Sequence, residues 1–132
     1  MSARGNVLIV EDDSDTGETV VAILKRAGFG TRLVSSRDAA LFAVTLYLYD
    51  FILIDVSMPG ITIDEFLKRS HEFRTAVVIL MSSVVVSDQE AARLGVTHTL
   101  KKPFGPDELL ALLASIAPSK ISGRKTDFIA PR

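Results

Sequence analysis

Five short apolar runs recur along the chain, each followed by a polar turn and then by apolar residues at helical spacing. The first, Asn6–Val10 (NVLIV), stops at Glu11-Asp12-Asp13. A continuous run of this length bounded by acids reads as a buried strand. Asp13 or Ser14 can cap a helix that continues to about Ala27, with Val20, Val21 and Leu24 on one face; Gly28 and Gly30 end it. Thr31–Val34 is a short second strand, and Ser35 or Ser36 caps a second helix over roughly Arg37–Leu48. Asp50–Val56 is a third strand built around FILI. After Pro59-Gly60 a third helix covers about Thr62–Glu72. Ala76–Ser82 is the fourth strand. Ser87–Leu94 is a short fourth helix closed by Gly95, Thr97–Lys101 a weak fifth strand, and Pro106 opens a fifth helix ending near Ala117. Leu109, Leu110, Leu112 and Leu113 form the apolar stripe of that last helix.

Strands that are continuously apolar rather than alternating belong to a parallel sheet covered on both faces. Strand then helix, five times over, therefore predicts an α/β fold, an open doubly wound sandwich of three layers. No internal repeat or low-complexity block interrupts the order.

Composition narrows the function. The chain has 132 residues, 48% apolar and 23% charged, enough for one domain with a sizeable core. A net charge of −1 gives no electrostatic case for nucleic-acid binding. No cysteine is present, which excludes disulfides, thiolate catalysis and cysteine-ligated metals, and fits a cytoplasmic setting. The opening MSARGNVLIV lacks the long apolar core of a signal peptide. The uncharged stretch AALFAVTLYLY over Ala39–Tyr49 falls short of the about 20 residues a bilayer demands and reads as a buried helix. The segment 119–132 differs from the rest, with Lys120, Arg124, Lys125 and Arg132 against Asp127 among serines and a glycine. It reads as a basic tail or linker, and Phe128 and Ile129 are its only candidates for docking.

In an open parallel sheet, ligands bind beyond the carboxyl ends of the strands. The residues there are Glu11-Asp12-Asp13 after the first strand, Asp55 after the third, Ser82-Ser83 after the fourth and Lys101-Lys102-Pro103 after the fifth. Each has an ordinary explanation. Asp13 and Asp15 suit the start of the next helix, Asp55 suits a turn before Pro59, a strand-end serine suits a satisfied hydroxyl, and a lysine suits a solvated surface. Their placement on one rim is the informative fact. Glu11, Asp12 and Asp55 would repel one another unless a hard divalent cation such as Mg²⁺ held them ionised. A lysine adds a point charge suited to phosphate, and a serine a hydroxyl donor. Together they make a site for moving a phosphoryl group onto a carboxylate.

VLIVEDD, DVSMPG, VILMSS and KKPF, in that order and each at a strand end, resemble the receiver domain of two-component response regulators, the CheY-like family. The resemblance covers about Asn6–Ala117, within a domain placed at residues 1–118. It implies a flavodoxin-like (βα)5 fold with strand order 2-1-3-4-5. It implies that Asp55 is the phosphoacceptor, charged by a sensor histidine kinase or a phosphotransfer protein. Asp12 would bind Mg²⁺ directly, Glu11 through water, and Ser57 through its backbone carbonyl. Lys102 would contact the phosphoryl group, the bond to Pro103 would be cis, and Ser82 would be the switch hydroxyl. The surface of the fourth helix, fifth strand and fifth helix would then carry the signal to an effector or a second copy. The same resemblance implies no membrane insertion, no direct nucleic-acid contact and no turnover of an outside substrate.

The chain departs from the family pattern in several places. Thr99, beside His98, stands where an aromatic usually completes the switch. Ser83 stands where alanine is common, and Thr62-Ile63 replaces the usual Asp-Gly. The segment between Ser82 and Lys102 is short, so the fourth helix is expected to be short or irregular. Its run Val84-Val85-Val86 is expected to pack inward, the alternative being an exposed partner or dimer surface. These changes bear on output more than on phosphorylation, and Thr99 keeps open a second reading: a pseudo-receiver that binds partners without a phosphate-driven switch. A phosphatase on a similar fold needs a general acid two residues after its nucleophile, where this chain has Ser57. His98 shares no ligand-like spacing with another His or carboxylate, and His71, beside Glu72 on the third helix, reads as solvated. Whether the chain stands alone or is cut from a longer regulator is left open.

Overall fold

The computed structural model of the protein describes residues 4–122. Five strands, β1 (Asn6–Val10), β2 (Gly30–Val34), β3 (Phe51–Asp55), β4 (Val77–Ser82) and β5 (His98–Lys101), alternate with five helices, α1 (Ser14–Arg26), α2 (Arg37–Leu46), α3 (Ile63–Ser70), α4 (Asp88–Leu94) and α5 (Pro106–Ser122). All strand pairs are parallel, in the order β2-β1-β3-β4-β5. This is the flavodoxin-like order expected above.

The continuous apolar strands follow from a core on each side of the sheet. Successive strand residues point to opposite faces. Leu8, Val10, Ile52, Ile54 and Leu80 pack with Ala40, Val44 and Phe66 from α2 and α3. Val7, Ile9, Phe51, Leu53, Ile79 and Met81 pack with Val20, Leu24, Leu109 and Leu113 from α1 and α5. Each fully buried aliphatic side chain contributes about 1.5–3 kcal/mol, so the two cores fix the strand ends firmly in register.

Short polar side chains begin the helices. Asp13, Ser36, Thr62 and Ser87 each accept the backbone N–H three residues on, heading α1, α2, α3 and α4, and Asp15 lies in the first turn of α1. Gly95, at φ +74°, closes α4, which has the short length expected of it.

Several expectations are corrected. The stretch Ala39–Tyr49 is not one buried helix. Tyr47 is already extended, and Phe42 and Leu46 are 66% and 54% exposed. A helix lying on a sheet buries one stripe only, and Ala40, Ala43 and Val44 are that stripe. The helix foreseen to Glu72 stops at Ser70 and tightens into a 3₁₀ turn, His71–Phe73. Val84 and Val85 are exposed rather than packed inward, while Val86 does pack against the core. The last helix continues past Ala117 to Ser122; Phe128 and Ile129 lie outside the described residues. No helix among those residues is long and apolar enough to cross a membrane.

Candidate functional site

Register decides which polar groups meet. The β1–β3 pairing ends at Val10 opposite Ile54, so Glu11, Asp12 and Asp55 emerge together at one edge of the sheet. Asp55 itself pairs with Met81, one residue before Ser82, and Ser82 lies opposite Lys101. The Lys102 N–H donates to the Ser82 carbonyl at 2.7 Å, bringing the lysine over the same rim. The Lys102–Pro103 bond is cis, as expected.

Lys102 Nζ donates to Glu11 Oε1 at 2.7 Å and to Asp55 Oδ2 at 3.1 Å. Carboxylate oxygens of Glu11, Asp12 and Asp55 lie within 4.8 Å of one another. Glu11 and Asp55 are buried and Asp12 is exposed. Glu11 Oε2 also accepts from the Asp13 N–H at 3.2 Å, and Asp55 Oδ1 from the Ser57 N–H at 3.1 Å. The buried Ser82 Oγ accepts from the Val84 N–H at 3.1 Å, which leaves its own O–H to donate.

The electrostatics show a site crowded with negative charge. Burial pushes the Glu11 carboxyl above its usual value, against the Lys102 and Asp13 hydrogen bonds that pull it down, and the Asp55 charge pushes the same way as burial. Burial works against the Lys102 ammonium, yet its bonds to Glu11 and Asp55 outweigh burial and raise it. One ammonium for three convergent carboxylates leaves an oxygen-only donor set with surplus negative charge. That set fits a hard divalent cation, with Glu11, Asp12 and Asp55 as the residues to hold it.

One residue at the site was not foreseen. Arg37, at the first position of α2, is 2% exposed. Its Nη1 donates to the carbonyls of Met58 (3.3 Å) and Ile61 (2.8 Å), its Nη2 to those of Asp55 (3.0 Å) and Val56 (2.7 Å). Burial lowers its affinity for its proton while the Asp55 and Asp12 charges act to keep it. A signal was present in the sequence: a cation at the positive end of a helix is misplaced unless something else holds it.

The remaining candidates fall outside the cluster. Thr99 and His71 are exposed and His98 is half-buried. Beside Lys102, a groove of about 310 Å³ runs between α1 and the segment after β5, lined by Asp15, Thr16, Thr19, Ile23, Pro103 and Phe104 among others.

Comparison with known proteins bears on this geometry. Residues 7–114 match the family model of the response regulator receiver domain. The chain is 29% identical over 133 residues to the transcriptional regulatory protein FixJ of Bradyrhizobium diazoefficiens, covering 98% of this chain and 65% of that protein. It is 29% identical over 113 residues to the cell cycle transcriptional regulator CtrA of Caulobacter vibrioides, covering 83% and 49%. It thus spans between about half and two thirds of these relatives. Among solved structures, the receiver domain of Francisella response regulator 1452 superposes with a TM-score of 0.77 at 26% identity, covering 87% of this chain and 98% of that one. The Vibrio cholerae chemotaxis protein CheY4 gives 0.76 at 26% identity, covering 86% and 99%. The receiver domain of the Pseudomonas aeruginosa kinase PA1611, which holds magnesium in its active site cleft, shares the fold at 22% identity and a TM-score of 0.75, covering 86% and 97%.

Proposed function

The chain belongs to the response regulator receiver domain family, and on that premise we propose that Asp55 accepts a phosphoryl group from the phosphohistidine of a partner kinase or phosphotransfer protein. The observation that carries the reading is the convergence of Glu11, Asp12 and Asp55 within 4.8 Å, with Lys102 at 3.1 Å from Asp55.

An Asp55 carboxylate oxygen attacks phosphorus, the phosphorus–nitrogen bond to the donor imidazole breaks, and an acyl phosphate forms on Asp55. The strand end holds Asp55 rigidly, so little ordering is left for the reaction itself. Lys102 lies within reach of Asp55 and supplies positive charge for the incoming phosphoryl oxygens. Ser82 has a free O–H to offer the same oxygens. Glu11, Asp12, Asp55 and the Ser57 carbonyl would hold Mg²⁺, whose chemistry would be to offset the negative charge of the carboxylates and the phosphoryl oxygens. The chain takes the group stoichiometrically, assists only its own phosphorylation and dephosphorylation, and acts in the cytoplasm alongside its kinase. Movement of Ser82 toward the phosphoryl group would alter the α4–β5–α5 face for an effector or a second copy.

The exposed Thr99 favours a second reading, a pseudo-receiver that binds partners without that switch. Labelling with acetyl phosphate and Mg²⁺ decides the first point: wild type incorporates phosphate and Asp55→Asn does not, and equal incorporation sinks the reading. A phosphate mimic such as beryllofluoride decides the second, since unchanged self-association and partner binding would favour the pseudo-receiver.

A further inference from the structure

Arg37 is neither one of the rim carboxylates nor part of the expected switch, yet its two Nη groups hold four backbone carbonyls of one loop beside them. Two such groups have four N–H bonds, so their donors match these four acceptors one for one. The held carbonyls are those of Asp55, Val56, Met58 and Ile61, and the Ser57 carbonyl between them is left out. The loop needs such a partner. Strand β1 ends opposite Ile54, so the backbone beyond that point has lost its neighbour on the β1 side. Buried carbonyls without a donor are costly. Val56 is fixed from both sides, its N–H by the Met81 carbonyl at 3.0 Å and its carbonyl by Arg37. Further along, Gly60 abuts the same helix start. A Cβ there would sit 3.3 Å from Asp38 Oδ2, and its φ of +97° suits glycine alone. Among the described residues, Arg37 Nε has no hydrogen-bond partner although buried. That is a cost accepted for the placement of the fork.

We propose that Arg37 is a positioning residue for the cation: by clamping the carbonyls on either side of Ser57, it fixes the loop from which the Ser57 carbonyl would serve as a ligand. The inference rests on the Mg²⁺-dependent reading of the acidic rim. It accounts for an arginine rather than a lysine at this position, since a single ammonium cannot span four carbonyls of a folded loop. It also separates position from charge. The Arg37 guanidinium is close enough to act on Asp55 and Asp12, and a purely electrostatic role would oppose a cation.

Calorimetric titration of Mg²⁺ alone into metal-stripped wild type, Arg37→Lys and Arg37→Met tests this, with thermal melting to show that each is folded. Both variants are expected to bind Mg²⁺ about 10-fold or more weakly, as when a supporting partner of a metal ligand is lost. Tighter binding by Arg37→Met with unchanged Arg37→Lys would make the role one of charge alone and overturn the proposal. Unchanged affinity in Arg37→Lys overturns it too. If neither variant folds, Arg37 is a stabiliser of the fold and the proposal fails. Folded wild type that takes up no Mg²⁺ sinks the reading of the rim itself, whereas normal wild-type binding with unaffected variants sinks only the role of Arg37.

Discussion

Lys102 Nζ sits 2.7 Å from Glu11 Oε1, joining side chains 91 positions apart in the chain. The pair is asymmetric. The Glu11 side chain is 1% exposed, whereas the lysine side chain is 21% exposed. Removing the lysine therefore strands a buried carboxylate, but removing the acid leaves the lysine partly in water.

Lys102→Met should cost about 1–3 kcal/mol of stability in metal-free buffer, nearer the low end because solvent screens the lysine side. Excess Mg²⁺ should shrink that loss, since the cation replaces the missing positive charge and binds only the folded chain. Urea unfolding with and without Mg²⁺ reads both quantities. An equal loss in the two buffers would mean that the lysine does not balance the acidic cluster.

A second ion pair gives a pH dependence. Arg93 Nη2 lies 2.6 Å from Glu90 Oε2 and Nη1 lies 3.3 Å from Asp64 Oδ1, tying α4 to α3. The Arg93 hydrogen bond lowers the Glu90 carboxyl from its usual 4.5. A carboxyl lowered in the folded chain adds stability above the unfolded value, and that contribution fades as pH falls through the lowered one. Carboxyl NMR titration should find Glu90 below the normal range in wild type and back within it in Arg93→Ala. Glu90 is fully exposed, so the effect on overall stability is small. An unmoved Glu90 titration would show the ion pair to be absent in solution.

Two glycines separate strain from crowding. Gly95 has φ +74° with nothing within 4 Å of a Cβ, while Gly60 has φ +97° with Asp38 Oδ2 at 3.3 Å. Gly95→Ala should cost about 1–2 kcal/mol from the left-handed backbone alone. Gly60→Ala should cost more and also loosen the loop that follows Asp55. Denaturant midpoints compare the two, and a cheaper Gly60→Ala would mean that the loop moves freely away from α2.

Most of the fold could be read from the chain because the signals are local. Continuous apolar runs name strands buried on both faces, and Asp13, Ser36, Thr62 and Ser87 name helix starts through bonds to residues three positions away. The errors fell where locality fails. Whether Phe42 and Leu46 face solvent depends on what lies over α2, and whether Val84 and Val85 pack depends on the path of the loop into α4.

The sequence alone determined the strand–helix order, through the spacing of apolar residues, and the polar residues at the strand ends, through the break in that spacing. Acid at Asp55 and lysine at Lys102 were legible because a buried strand has no local reason to end on a charge. Only the tertiary structure decided that Lys102 bridges Glu11 and Asp55, that the three carboxylates share one 4.8 Å cluster, and that Arg37 grips the loop behind them. Those relationships run between residues 18 to 91 positions apart. They are fixed by sheet register and helix placement, which no local window of the chain contains.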